Sequence, residues 1–292
     1  MHFIEPLPIK DWSMPLAAEQ KALAIEAIET GKIIFPPQLP FKLTSLEQRF
    51  LSSNYIDPKS KNISYDIRQN NLRGVNGSPN DKDQIKEMMR RFAIQSKQLI
   101  NHLFPHYQNA IVQARTSFRP IEVKGRSSSY RKDDTRLHVD AFPANPNQGR
   151  RILRVFSNIN PHGEDRVWRV GEPFSEVAKR FVPQAGKPLP GSATLLHLLR
   201  VTKSRRTQYD HLMLQIHDRM KADELYQQRV EQYEVRFPPN TSWIVQTDQV
   251  SHAAMSGQHL LEQTFYLPVN AMYDPNRSPL RILEKLVGHS LI

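Results

Sequence analysis

The tripeptide His138-Val139-Asp140 closes the run Arg136 to Asp140, which reads as a short extended segment. Residues i and i+2 of an extended chain point to the same face, so His138 and Asp140 can reach one metal ion together. A second histidine, His252, follows the strand and turn of Trp243 to Ser251 and opens another strand. Two imidazoles and one carboxylate make the facial triad of non-haem Fe(II) oxygenases, which leaves three positions open for cosubstrate and O2. The separation, 252 − 140 = 112 residues, is long, and a helical insertion inside it accounts for the excess. Among 11 histidines a lone His-x-Asp triplet arises easily by chance, and its plain alternative is a solvated pair at a strand end. The strand context and the late second histidine set this triplet apart.

A 2-oxoglutarate cosubstrate would chelate such a metal through its keto-acid end, and its far carboxylate needs a buried cation or hydrogen-bond donors. In Gly149 to Pro161, alternation puts Ile152, Arg154, Phe156 and Asn158 on one face. Arg154 interrupts an otherwise apolar run, which is costly on a core-facing side without an anionic partner. Arg154 is therefore the candidate cosubstrate anchor, with Asn158 beside it on the same face and Arg150 and Arg151 as rivals. Tyr130, shortly before the triplet, can donate to the same carboxylate. Arg115, Ser117 and Arg119 share one face of a predicted strand, and Lys124, Arg126 and Arg131 follow. An anionic ligand bearing carboxylate and phosphate groups would use Arg115, Arg119 and Arg126; a solvated basic edge strand would look the same.

Other chemistries are missing. Without cysteine there is no disulfide, thiolate zinc site, iron–sulfur cluster or cysteine nucleophile. No phosphate loop, dinucleotide fingerprint or glycine-flanked serine elbow occurs, and only 11 glycines are present.

The elements that must hold these residues divide the chain in two textures. Residues 1–108 read as a mainly helical N-terminal layer. Leu16 to Thr30 is a helix behind Pro15, Ile33 to Phe41 a proline-rich connector, Ser45 to Gln48 a short capped helix, and Ser52 to Asp81 a loop. Asp81 to Phe104 is a helix on the spacing of Ile85, Met88, Met89, Phe92, Leu99 and Leu103. Residues 109–270 read as a jelly-roll or sandwich core. Its runs are Ala110 to Arg119, Ile121 to Lys124, Leu137 to Val139, Ile152 to Ile159, Val167 to Val170, Gln232 to Phe237, Trp243 to Val245 and Gln263 to Leu267. A helical insertion spans about 192–228, and residues 271–292 carry a C-terminal helix capped by Ser278-Pro279. One domain over residues 1–292 is expected, of the α+β class and mainly β.

Lys+Arg 40 against Asp+Glu 29 gives a net charge of +11. Such a surplus favours an anionic partner. No stretch approaches a membrane span, and Met1 to Pro6 shows no secretory leader, so a cytoplasmic protein is expected. In the insertion, Leu195-Leu196-His197-Leu198-Leu199 precedes Arg200, Lys203, Arg205 and Arg206. Apolar followed by basic suits a peripheral contact with an acidic membrane surface; the commoner outcome packs the leucines inward. His211 and His217, six apart on a helix, do not share a face and are not counted as ligands.

The segments Leu137 to Pro143, Arg154 to Pro161 and Ser251-His252-Ala253 resemble the core of 2-oxoglutarate-dependent hydroxylases of the prolyl-hydroxylase type. The whole chain, through Phe265-Tyr266-Leu267-Pro268, resembles the Kdo hydroxylase family of Gram-negative bacteria, where Kdo is 3-deoxy-D-manno-oct-2-ulosonic acid. The resemblance implies a double-stranded β-helix (jelly-roll, cupin-like) core, Fe(II), 2-oxoglutarate and O2. It also implies hydroxylation of the terminal Kdo of Kdo-lipid A or another lipopolysaccharide precursor at carbon 3, giving Ko, succinate and CO2. Many such relatives carry Arg or Lys about ten residues after the distal histidine. The stretch after His252 offers Gln258, His259, Glu262 and Gln263 instead, which strengthens Arg154 and leaves Gln263 as a neutral helper. A cupin-like metal hydrolase and a basic nucleic-acid-binding module are the alternatives; no nucleic-acid signature accompanies the charge, so no nucleic acid is expected as a partner.

Overall fold

Ser78 and Asp81 exchange side-chain-to-backbone hydrogen bonds around Pro79, and this capping box opens the longest helix, α2, Pro79–Leu103. Its stripe Ile85, Met88, Met89, Phe92, Leu99 and Leu103 is buried, as the spacing requires. Helix α1, Ala18–Glu29, precedes it and ends at Gly31, whose φ of +83° suits glycine. The computed structural model describes residues 3–123, 125 and 129–292.

Eleven strands among the described residues form two sheets. The first eight positions belong to β1 Ile4–Pro6, β2 Ile33–Phe35, β9 Thr241–Gln246, β6 Arg151–Asn158, β11 Leu260–Leu267, β5 Val112–Arg119, β3 Ile63–Asp66 and β4 Asn71–Arg73, in that spatial order. Only β1 and β2 run parallel. The second sheet has the order β10 His252–Ser256, β7 Arg166–Val170, β8 Tyr233–Phe237. An apolar cluster of Phe156, Trp168, Val170, Val235, Phe237, Trp243, Val245 and Leu260 fills the space between the sheets. The other face of the large sheet, with Leu153, Val155, Phe118, Leu261 and Phe265, joins the core that includes α1 and α2. Helices thus cover one side of a mainly β, double-stranded β-helix core, and the other side is its interior.

Several expectations need correction. The loop expected over Ser52 to Asp81 contains the hairpin of β3 and β4, which extends the sheet beyond β5. These strands are short, four and three residues, and Asn70 turns them with a φ of +47°. Ile121 to Val123 forms no strand, and Lys124 lies outside the described residues. Leu137 to Val139 contributes a single bridge, His138 to His252. The proline-rich connector contains β2, and the short helix near Ser45 is a 3-10 turn, Glu47–Phe50, with Thr44 as the reciprocal partner of Glu47. An unforeseen helix, α3 Phe174–Phe181, precedes the insertion. The insertion itself is three helices, α4 Ser192–Leu198, α5 Gln208–Ala222 and α6 Glu224–Arg229. Helix α7, Pro279–Val287, ends the chain behind the Ser278 cap. No described helix is long and apolar enough to cross a membrane.

Candidate active site

His138 and His252 are directly opposed in an antiparallel bridge and exchange both backbone hydrogen bonds, at 3.0 and 2.9 Å. Opposed residues share a face, so the two imidazoles meet with ring centroids 4.6 Å apart. Asp140 falls on the same face two residues on, and its N–H donates to the Thr247 carbonyl at 2.8 Å. One donor atom from each of His138, Asp140 and His252 lies within 4.8 Å of the others, so the three can hold a metal ion. This is the constellation expected from the spacing.

The local bonds prepare the rings for a metal. Nδ1 of His138 lies 2.8 Å from the Arg136 carbonyl, and Nδ1 of His252 lies 2.8 Å from the Val250 carbonyl. A carbonyl accepts only from N–H, so both protons sit on Nδ1 and both Nε2 lone pairs are free. Trp168 stacks on His252 at 4.9 Å, and His217 meets the His138 ring edge-on at 5.4 Å. Burial holds both imidazoles below their ordinary pKa, most strongly His138, which also feels His252 and Lys221. Burial alone would raise the Asp140 carboxyl; Arg154 beside it, with His252 and His138, holds it well below the usual carboxylate range. Two neutral imidazoles and one carboxylate fit a divalent iron.

Arg154 is the centre of the charged interior. Its Nη2 lies 2.9 Å from Asp140 Oδ2 and its Nη1 lies 3.0 Å from Glu262 Oε1. Glu262 also accepts from Arg119 at 3.0 and 3.2 Å. Phe142 lies beneath the Arg154 guanidinium, whose Nε is buried without a hydrogen-bond partner. Arg150 and Arg151 are not rivals for this position. Arg150 stacks over Tyr266 and donates to the Asn147 carbonyl. Arg151, fully buried, binds Asp248 and Gln249.

Other expected site residues land elsewhere. Gln263 pairs with Val155 and shares its helix-facing side, where its amide serves Thr116 and the Ala114 and Thr264 carbonyls. It does not face the interior. Asn158 has the right face, but its amide donates to the Glu164 and Phe237 carbonyls and accepts from Asn160 N–H, which occupies it in tying loops together. Tyr130 is exposed on the 3-10 turn Tyr130–Lys132, with Arg131 over its ring. Arg119 faces the interior, held by Glu262 and 3.9 Å from Asp134. Arg115 is half-buried, and its guanidinium makes no ion pair to a described residue. Arg126 lies outside the described residues.

The site also holds residues the sequence reading missed. Glu262 stands 262 − 252 = 10 residues after the distal histidine, where many relatives have a cation. Here an acid takes that place and grips two arginines from neighbouring strands. Arg166, buried on β7, donates to the Gly257 carbonyl, keeps a buried unpartnered Nε, and is brought down to about 10 by burial. From α5, Lys221 reaches the Arg131 carbonyl at 3.2 Å and lies 3.9 Å from Asp134. His217 and Lys221 are four apart on α5, so their approach to the triad is a helix-face pattern that no local motif announces. A cleft of about 350 Å³, lined by Lys59, Lys61, Lys132 and Asp134, adjoins this rim.

Comparison with known proteins agrees with this geometry. Residues 11–290 match the family described as 3-deoxy-D-manno-oct-2-ulosonic acid (Kdo) hydroxylase. A crystal structure of the Kdo hydroxylase KdoO, a non-haem Fe(II) α-ketoglutarate-dependent dioxygenase with α-ketoglutarate and Fe(III), is 45% identical. It covers 99% of this chain and 97% of its own, with a TM-score of 0.96. The KdoO complex with cobalt(II) is 46% identical at the same coverage, with a TM-score of 0.97. The complex with succinate and Fe(III) is 46% identical, with a TM-score of 0.96. No curated protein matches the chain. Family match, near-full-length structural likeness and the His138–Asp140–His252 cluster lead to one conclusion: the chain belongs to the Kdo hydroxylase family.

Proposed function

We infer that this protein is a Kdo hydroxylase, an Fe(II)/2-oxoglutarate-dependent dioxygenase, in which His138, Asp140 and His252 hold the iron and Arg154 anchors the cosubstrate. One observation carries the residue assignment: two neutral imidazoles, an ionised carboxylate and a buried guanidinium with a free Nε converge on one interior face. With Fe(II) bound, 2-oxoglutarate and O2 supply an oxidative decarboxylation to succinate and CO2, coupled to oxygen insertion at a C–H bond.

The chain's own residues bind, orient and exclude water. The Arg136 and Val250 carbonyls fix both imidazoles by their Nδ1 protons, so the rings cannot flip their Nε2 atoms away. Glu262 holds Arg154 at 3.0 Å, which keeps the guanidinium aimed into the interior. Its planar fork and free Nε can take the far carboxylate of 2-oxoglutarate, with Asp140 released to its role as a metal ligand. Trp168, Phe142 and Val245 line a dry interior around these charges. Arg115, with no ion pair among the described residues, fits the carboxylate of an acidic sugar at the mouth, and Arg119 supports Glu262.

The substrate we propose is the terminal Kdo of Kdo-lipid A or a related lipopolysaccharide precursor, hydroxylated at carbon 3 to give Ko. The enzyme would work on the cytoplasmic side, at the surface of the inner membrane. Family membership disfavours the hydrolase and nucleic-acid readings. The test is incubation of Kdo-lipid A with enzyme, Fe(II), 2-oxoglutarate and O2, read by mass spectrometry. One oxygen gained on the terminal sugar, with one succinate per product and loss of one of the two deuterons of a 3,3-dideuterated Kdo, is expected. Succinate formation without oxygen gain on the sugar, or retention of both deuterons, would contradict the assignment.

A further inference from the structure

Helix α4 departs from the rest of the molecule: it alone among the seven described α-helices buries none of its residues. An apolar helix face ordinarily turns inward to remove its area from water. Here the reverse holds. Leu189 is 77% exposed, Leu198 76% and Leu199 63%, with Leu195 and Val201 also exposed. Five of the large exposed apolar side chains therefore crowd into a stretch of 13 residues, Leu189 to Val201. Scattered singly they would need no explanation, but a contiguous apolar projection marks a contact surface.

What surrounds the leucines identifies the partner. Lys187, Arg200, Lys203 and Arg205 are exposed on the same segment, and no acidic residue lies between Lys187 and Arg206. Leucines ringed by cations, with no acid among them, complement an anionic lipid surface: the apolar chains enter the acyl boundary and the cations meet phosphate headgroups. A second copy of this chain would bring the same cations against each other.

The segment is also rigidly tied to the chemistry. Lys203 N–H donates to the Ala144 carbonyl at 3.0 Å, and Arg206 Nη2 donates to the Pro143 carbonyl at 2.7 Å. Those carbonyls follow Asp140 by three and four residues, on the loop whose Phe142 lies beneath Arg154. Burial and the nearby Arg115, Arg73 and Arg68 hold the Lys203 ammonium below its ordinary pKa, opposed by Asp66. A basic rim thus continues from the exposed leucines to the mouth of the site.

We propose that residues 187–206 form a membrane-docking element, in which the α4 leucines insert into an anionic leaflet and seat the site's mouth at the lipid surface. Its use in presenting a lipid-linked sugar rests on the hydroxylase reading above; the docking itself does not. The test uses the full chain and the triple variant Leu189→Ser/Leu198→Ser/Leu199→Ser. Both are sedimented with phosphatidylethanolamine–phosphatidylglycerol vesicles and with phosphatidylcholine vesicles, and sized by light scattering. We expect the wild type to bind the anionic vesicles preferentially, less so at high salt, and the variant to bind about tenfold more weakly or worse. The variant should hydroxylate a water-soluble Kdo disaccharide at the wild-type rate while losing rate on Kdo-lipid A in vesicles. Equal vesicle binding by the two proteins, or none by the wild type, would overturn the proposal. So would a wild-type dimer that the variant converts to monomer, since the leucines would then cover a second copy. If neither protein hydroxylates the soluble sugar or Kdo-lipid A, the hydroxylase reading fails and the vesicle result still decides docking.

Discussion

Leu153 and Arg154 are consecutive on β6, yet their side chains enter different environments. Leu153 points to the helix-covered face of the large sheet, among Val155, Ile244, Leu261 and Phe265. Arg154 points into the interior, where Asp140, Glu262 and Arg119 form a chain of alternating charge. One face is mainly apolar: its polar Gln263 is satisfied by Thr116 and backbone carbonyls, and Gln246, opposite Leu153, is the buried amide there without a hydrogen-bond partner. The other face is left open to binding, with Arg154 Nε and Arg166 Nε buried and unpartnered. Burying charge and donors without partners is costly. What sets the interior apart is that its unpartnered donors belong to buried guanidinium groups, which suit an anionic ligand.

Substitutions on the two faces should therefore separate stability from chemistry. The largest effect on activity belongs to His138→Ala, which should abolish hydroxylation and Fe(II) binding while leaving the circular dichroism spectrum unchanged. A residual rate near wild type in that variant would remove His138 from the metal site. Next, Arg154→Gln should weaken 2-oxoglutarate binding about 30-fold or more, the loss expected for a buried charge-assisted pair. Leu153→Ala, one residue away, should do the reverse: a loss of about 2–5 kcal/mol in denaturant unfolding, with an unchanged Michaelis constant for 2-oxoglutarate. If both variants shifted the same quantity, the two faces would not be functionally distinct. Gln263→Ala sharpens the contrast at smaller scale. It should cost about 1–3 kcal/mol by orphaning buried partners and leave cosubstrate affinity alone.

The smallest effect concerns acid. Burial keeps His138 and His252 below their ordinary pKa and brings His259 down to about 4. Below about pH 6.5 the unfolded chain takes up protons that these folded imidazoles refuse. Stability of the metal-free protein is therefore complete above that pH and falls as pH drops towards 4. Thermal melts across that range should show the fall, and His259→Asn, which tolerates the positive φ at this position, should flatten it. A wild-type melting temperature that stays constant to pH 4 would contradict the buried, neutral assignment.

The triad was legible because its geometry is local: i and i+2 on extended chain, and a histidine opening a strand. The buried, interior-facing position of Arg154 was legible because a charge inside an apolar β run breaks the pattern. Gln263 misled because it was located by counting from His252, whereas the side-chain period of two gives the interior to Glu262 and turns Gln263 to the helices. Asn158 shows another limit: the strand's parity fixed its face, but the loop carbonyls that occupy its amide come from Glu164 and Phe237, distant in the fold's wiring. His217 was set aside as a ligand, and its approach to the triad with Lys221 could not be read, since helix α5 reaches the triad only through tertiary packing. The β3–β4 hairpin escaped because strands of four and three residues, Ile63–Asp66 and Asn71–Arg73, are too short for their alternation to stand out from the surrounding polar stretch.

The most direct measurement is an anaerobic absorbance titration of the protein with Fe(II) and 2-oxoglutarate, run in parallel on wild type, His138→Ala and Arg154→Gln. A weak visible charge-transfer band in the wild type, absent in His138→Ala and reached only at much higher 2-oxoglutarate in Arg154→Gln, is the predicted result. A band of equal strength and equal 2-oxoglutarate dependence in either variant would contradict the account.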